Sequence, residues 1–401
     1  MKSTSTIIAL LLALSQAYSQ LAIKGELVHT MKGSAIPNGV VLVKGSTIVA
    51  VGPTSSVTIP EGYRVVEAKV VTPGIIDARS VVGLAGIYNY KHDQMQLEGS
   101  EAFQPELRAI DAYNPREKLV GFVRTLGVTT LHTGHAPGAL ASGTTIIVKS
   151  VGNTVHEAMI DSVGMIAFTL GESVLSNYKN PGTSAKAVAI VRSEFLKAQD
   201  YLKKKSAKDA DKRPAIDLRM EMIAQVLKGE RTVLMTAQKA TDIVTAIRFM
   251  HEFKFRMVLD GAAEAYLVLD EIKKSGVPII LHPTMVRTYG DTRNASYTTA
   301  ATLKEAGIPF AFQSGYEGYV PKTRIVTYEA SVAAANGLSA ADALAAMTIN
   351  AAHILGIDKR VGSLEVGKDA DIVLFDGDPL EYITHVCGVI VNGAIVSETC
   401  R

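Results

Sequence analysis

Cysteine is almost absent from this chain: only Cys387 and Cys400 occur, both within the last fifteen residues. Thiols can therefore act only near the C-terminal end. Neither sign of charge is in excess. Lys and Arg total 41 against 39 Asp and Glu, a formal charge of +2, so neither nucleic acid nor an acidic surface is implied as partner. Long apolar runs are missing too. Ile7 to Leu14 is far shorter than the roughly 20 residues that span a bilayer, so no membrane span is expected. No G-x-S-x-G elbow, P-loop or G-x-G-x-x-G follows an apolar run, and those chemistries lack support.

What the N-terminus does contain is a leader pattern. Lys2 supplies positive charge, Ile7–Leu14 an apolar core, and Ala17 and Ser19 the small residues of a cleavage site before Gln20. Residues 1–19 are read as a cleaved signal peptide and the protein as periplasmic or secreted. No cysteine follows the cleavage site, which argues against a lipoprotein.

The chain has 401 residues, enough for one large barrel with an accessory layer. Residues 21–70 alternate short β-rich runs with turns at Gly45-Ser46 and Gly52-Pro53, and the same texture returns from Asp371 to Val396. The two ends predict one composite β-sandwich layer from residues 20–70 and 365–401. Within it, Asn392-Gly393 marks a hairpin. Centring the hairpin there pairs Cys387 with Glu398 and leaves Cys400 a diagonal neighbour. Export permits a disulfide, the diagonal placement disfavours one, and both states stay open.

From 71 to 364 buried-strand runs alternate with helical stretches. The strands are Ile75-Ile76, Val128–Leu131, Met165–Phe168, Thr232–Met235, Arg256–Leu259, Pro278–Leu281 and Pro309–Phe312, with an eighth near Thr144–Val148. Thr241–Glu252, Ala262–Lys274, Ala300–Ala306 and Asp342–Leu355, the last capped by Ser339, read as helices. Lys203–Lys205 reads as a solvated helix end. Eight parallel strands predict an α/β fold, a (β/α)8 TIM-type barrel, with its chemistry at the C-terminal strand ends.

The organising stretch is Val70-Val71-Thr72-Pro73-Gly74-Ile75-Ile76-Asp77-Ala78-Arg79-Ser80-Val81. A strand leaves one layer, turns at Pro73-Gly74 and enters a buried strand that stops at an acid. This stretch resembles T-P-G-[LIF]-I-D-x-H-x-H, the first barrel strand of the amidohydrolase superfamily. Met347–Gly356 and Val361–Val373 resemble that family's C-terminal "T-x-N-P-A-x-x-L-G … G-S-L-x-x-G-K-x-A-D-[LIF]-V" signature. Leu107–Pro115, Gly127–Thr130, Leu170-Gly171-Glu172 and Glu264-Ala265-Tyr266 are similar to exported members of its imidazolonepropionase-like group.

The resemblance implies C–N bond hydrolysis by one or two divalent metals that activate water. Their ligands would be two histidines on strand one, a lysine or glutamate on strand four, histidines on strands five and six, and an aspartate on strand eight. This chain offers Arg79 and Val81, then Ala167 or a near neighbour, Thr236, Asp260 or Gly261, and Ser314 or Gly315. Without imidazole, carboxylate or thiolate at those points, the ancestral metal, such as zinc, is expected to be lost and no cofactor to remain.

His132, His135 and His282 could still gather at one mouth as an atypical site, or be hydrogen-bonded barrel and loop histidines. Arg108, Asp93 and Asp111 shape a pocket or cap helices. A buried Arg79 needs an acidic partner, and Asp260 is the first choice, Asp77 the second; otherwise Arg79 anchors an anionic ligand. The expected pocket comprises Arg79, Asp77, Thr236, Asp260, His282 and Ser314. Two functional classes stay open. One is an exported pseudoenzyme that binds a small-molecule or peptide-like ligand, or joins a catalytic homologue in a homo- or hetero-oligomer. The other is a hydrolase using His132, His135 and His282.

Overall fold

A computed structural model describes residues 20–88, 90–285, 290–316 and 326–400. The leader reading, residues 1–19, lies outside the described residues. Four strands open the chain: β1 Gln20–Val28, β2 Ile36–Lys44, β3 Thr47–Pro53 and β4 Arg64–Pro73. The barrel strands follow as β5 Ile75–Ser80, β6 Val128–Gly134, β7 Ala141–Lys149, β8 Met159–Asp161, β9 Ile166–Thr169, β10 Val233–Ala237, β11 Met257–Gly261, β12 Ile279–Leu281 and β13 Phe310–Phe312. β14 Ile372–Phe375, β15 Val386–Val391 and β16 Ala394–Ser397 close the chain.

The two ends combine in one seven-stranded sheet, ordered β16-β15-β14-β4-β1-β2-β3. Pro73-Gly74 is the crossing point between this sheet and the barrel. Gly74 donates its N–H to Asp371 O at 2.8 Å. A Cβ at Gly74 would lie 2.1 Å from the Thr129 hydroxyl oxygen, so only glycine lets the two strands pass. Buried Lys149, at the end of β7, pairs with Asp369 at 3.0 Å and with Asp371, tying the barrel to the terminal sheet.

The second sheet runs β13-β12-β11-β10-β9-β7-β6-β5, with β8 against β7, and is nearly closed into a barrel. One strand departs from the all-parallel expectation. β7 is antiparallel to both β6 and β9, whereas β10, β11, β12 and β13 continue parallel. The cause is loop length. Residues 135–140 join β6 to β7, too few for a parallel crossover, which takes about a dozen residues or more. A β-branched run such as Thr144–Val148 looks the same in either direction.

Ile76, Leu234, Val258, Ile280 and Ala311 fill the barrel core, closed below by Ala351 and Leu355. The helices hold mostly where hydrophobic spacing places them: Ala240–Phe253 and Thr299–Ala306 are formed, and Ser184–Lys205 ends in its three lysines. Two expected helices break. Ala262 takes a positive φ of 54°, so only Leu269–Ser275 remains α-helical there. Asp342–Leu355 splits into Ala340–Ala346 and Ile349–Leu355 at Thr348. Ser339 caps the first, accepting from Asp342 N at 3.1 Å.

The cysteines are joined as a disulfide. A register shift between Val389 and Ile390 pairs Val389 with Ser397, one residue beyond the regular hairpin. That shift moves Cys400 from a diagonal position to the flank of Cys387.

Candidate functional site at the barrel mouth

The mouth is built by alternation. Leu234, Val258, Ile280 and Ala311 face the core, so two residues on along each chain Thr236, Asp260, His282 and Gln313 face inward at the C-terminal ends. β5 adds Asp77 and Arg79, β6 adds His132, and His135 follows β6. All are buried.

Arg79 is 0% exposed. Its Nη2 donates to the His135 carbonyl and its Nη1 to the Ser80 carbonyl at 3.4 Å, while Nε has no acceptor. The expected ion pair with Asp260 or Asp77 is not formed. Asp260 instead accepts from Thr236 Oγ1 at 2.5 Å and from Gln313 Nε2 at 2.6 Å. Asp77 accepts from Ser314 N at 3.0 Å, from Ser314 Oγ at 2.5 Å and from the Arg79 backbone N–H at 3.4 Å. Neutral donors have satisfied both carboxylates, and the guanidinium has turned to backbone carbonyls. Burial pushes the Asp77 carboxyl up to about 7, against the opposing pull of Ser314 and Arg79.

The three histidines have separate surroundings. His132 Nδ1–H donates to the Ala78 carbonyl at 2.7 Å, which leaves Nε2 to accept from the Thr145 hydroxyl at 2.6 Å. Burial, with the Arg79 charge second, pushes it down to about 3. The same two causes push His135 down to about 4, and neither of its ring nitrogens has a partner. His282 Nδ1 lies 3.6 Å from Oε1 of the fully buried Glu329, and its ring meets that of Tyr316 edge-on at 5.9 Å. Glu329 Oε2 accepts from Thr284 N at 2.7 Å and Thr284 Oγ1 at 2.5 Å.

Of the pocket expected from sequence, Asp260 bonds Thr236 and Asp77 bonds Ser314, but the histidines do not converge. Sequence reasoning missed Gln313 and Glu329. The one available signal for Glu329 was a lone acid in the apolar run Val326–Ala335. Asp93 and Asp111 sit in short 3-10 turns of the long loop after β5, and Arg108 pairs with Asp111 at 3.8 Å on the surface. Above the mouth opens a cleft of about 280 Å³, lined by Thr169, Thr236, Gln238, Asp291 and Tyr316 among others. Gln238 Nε2 donates to the Tyr316 hydroxyl at 2.9 Å across it.

These donors do not suit a divalent metal. Both nitrogens of His132 are committed, Val81 and Thr236 bring no strong ligand, and strand one offers a buried guanidinium at Arg79. Among the described residues no group of three or more His, Cys, Asp or Glu is placed to hold an ion. No described helix is long and apolar enough to cross a membrane.

Residues 306–397 match the model of the amidohydrolase family. Amidohydrolase tasK of Hapsidospora irregularis is 24% identical over 350 residues, covering 78% of this chain and 35% of that protein. The imidazolonepropionase of Geobacillus sp. (strain WCH70) is 45% identical over 71 residues, 16% of this chain and 17% of that protein. The chain thus spans 35% and 17% of the lengths of these two curated relatives. Among solved structures, an amidohydrolase from Thermotoga maritima MSB8 superposes with a TM-score of 0.87 at 26% identity, covering 94% of this chain and all of that one. A prolidase complexed with N-methylphosphonate-L-proline shares the fold, with a TM-score of 0.62 at 17% identity over 95% of this chain and 100% of that one.

Proposed function

The chain belongs to the amidohydrolase superfamily and is imidazolonepropionase-like, and from that premise we propose that it is a metal-free member whose barrel mouth binds a small-molecule or peptide-like ligand. Hydrolysis of C–N bonds is the family's chemistry; here the machinery for activating water on a metal has been replaced. The observation that carries this reading is the buried Arg79 guanidinium at a strand-one position where the family holds a histidine. A cation in low dielectric opposes a second, doubly charged one at the same place. The committed nitrogens of His132 support the same reading. On this proposal the chain is an exported pseudoenzyme that acts by binding, alone or beside a catalytic homologue.

One observation favours a second reading, a hydrolase with an atypical site. His282 faces the buried Glu329 carboxylate at 3.6 Å, as a proton-transferring imidazole would. His132 does not belong to such a site.

Elemental analysis of protein purified without added metal, paired with an amidase and dipeptidase screen, tests the proposal. Substoichiometric zinc, manganese and iron with no turnover is expected. One tightly bound metal per chain would reject the metal-free reading. Metal-free turnover abolished by His282→Ala would establish the second reading in its place.

A further inference from the structure

Arg79 is a buried cation with unused hydrogen-bonding capacity. A guanidinium carries five N–H donors in a planar fork. Here its described acceptors are two backbone carbonyls, one of them at 3.4 Å, and Nε has none. Among the described residues no carboxylate lies within 4 Å of it, and Asp77 and Asp260 are each held by neutral donors. Beside it, His135 is 6% exposed with both ring nitrogens unpartnered. Buried polar groups are rarely left in this state, and two neighbours lacking acceptors in one place point to a ligand that supplies them.

We propose that Arg79, with the His135 ring beside it, anchors the carboxylate of a small organic ligand at the barrel mouth. This rests on the reading that the barrel binds a ligand without a metal. Thr236 and Tyr316 line the cleft. Thr236 donates to Asp260, and Asp260, Tyr316 and Asp77 are near enough for their charges to act on Arg79. A carboxylate offers about four lone-pair sites in one plane, enough for Nε–H and a neighbouring N–H together with an imidazole N–H. A doubly charged phosphate fits less well, because Asp77 and Asp260 share the surroundings and would oppose a second negative charge. The arrangement is an organic-anion site at the place where the family holds a metal.

The test compares N-acetylglycine with the matched neutral N-acetylglycinamide, on the full chain labelled with 15N at arginine. The Arg79 Nε–H resonance is assigned by its loss in Arg79→Lys. The acid is expected to move that resonance and raise Tm, and the amide to do neither. In Arg79→Lys, acid binding should weaken by about tenfold or more, because an ammonium cannot reproduce the fork. Should Arg79→Lys not fold, the wild-type resonance, picked out as the arginine Nε–H most protected from exchange, still decides. Acid and amide acting alike, or an Arg79 signal that ignores the acid, overturns the proposal. Failure of the metal-free reading would appear separately, as bound metal in elemental analysis.

Discussion

Nδ1 of His282 lies 3.6 Å from Oε1 of Glu329, an acid 0% exposed on the helix Val326–Ala335 that packs behind the mouth. The other oxygen of Glu329 holds the backbone and hydroxyl of Thr284. This carboxylate therefore positions the segment that follows β12, and His282 with it.

Glu329→Ala should destabilise the fold by about 1–3 kcal/mol, because Thr284 N would be left buried without its acceptor. Glu329→Gln keeps an oxygen there and should cost clearly less. Urea denaturation of the two variants checks this, and equal losses would remove Thr284 from the explanation.

The Lys149 cluster invites a sharper test. Lys149→Met strands Asp371, whose side chain is 3% exposed, and should cost about 3–5 kcal/mol. Pairing it with Asp371→Leu should recover much of that loss. If thermal denaturation finds the double variant as unstable as the single, the ion pair is not what joins the layers.

Asp77 sets a pH signature. Its folded-state pKa, near 7, lies above its ordinary value of 3.8. The folded protein therefore binds more protons than the unfolded chain between those pH values, and this group's contribution to stability falls as pH rises through that window. Above about 7 the loss is complete. Asp77→Asn should remove the slope, on the order of 1 kcal/mol per pH unit, so its stability relative to wild type should climb from pH 4 to 7 and then level off. A difference flat across that range would show Asp77 ionised throughout.

His132 and His135 work in the opposite sense. Their folded pKa values, about 3 and about 4, lie below 6.5, so their contribution is present above that value and is lost as pH falls beneath it. Acid unfolding that sets in below about pH 6.5, with net proton uptake, is the expected result. Potentiometric titration during unfolding measures it.

The leader reading has its own check. Exported material should begin at Gln20 or within a residue or two, and N-terminal sequencing that finds an intact Met1 there would refute the cleavage reading.

Much of this architecture is local and was legible in the chain. Apolar runs of four to eight residues, interrupted by helical periodicity, locate barrel strands because burial on both faces demands them. Pro73-Gly74 marks the turn between layers because its close approach to Thr129 excludes a side chain. The loss of ligating residues was also a matter of residue type: Arg79, Val81 and Thr236 cannot do what histidine does.

The tertiary structure alone decided which partners the buried polar groups took. Arg79 next to two acids suggested an ion pair, yet Thr236, Gln313 and Ser314 arrive from other strands and satisfy the carboxylates first. Glu329 reaches His282 across 47 positions of chain, and Lys149 reaches Asp371 across 222. Such choices depend on which donors the closed barrel brings within about 3 Å, and that distance is a property of the sheet's register and curvature. The direction of β7 followed from the shortness of 135–140, and the position of Cys400 from a one-residue register shift. Side-chain chemistry is written residue by residue; the competition between donors and acceptors is settled only once the strands are side by side.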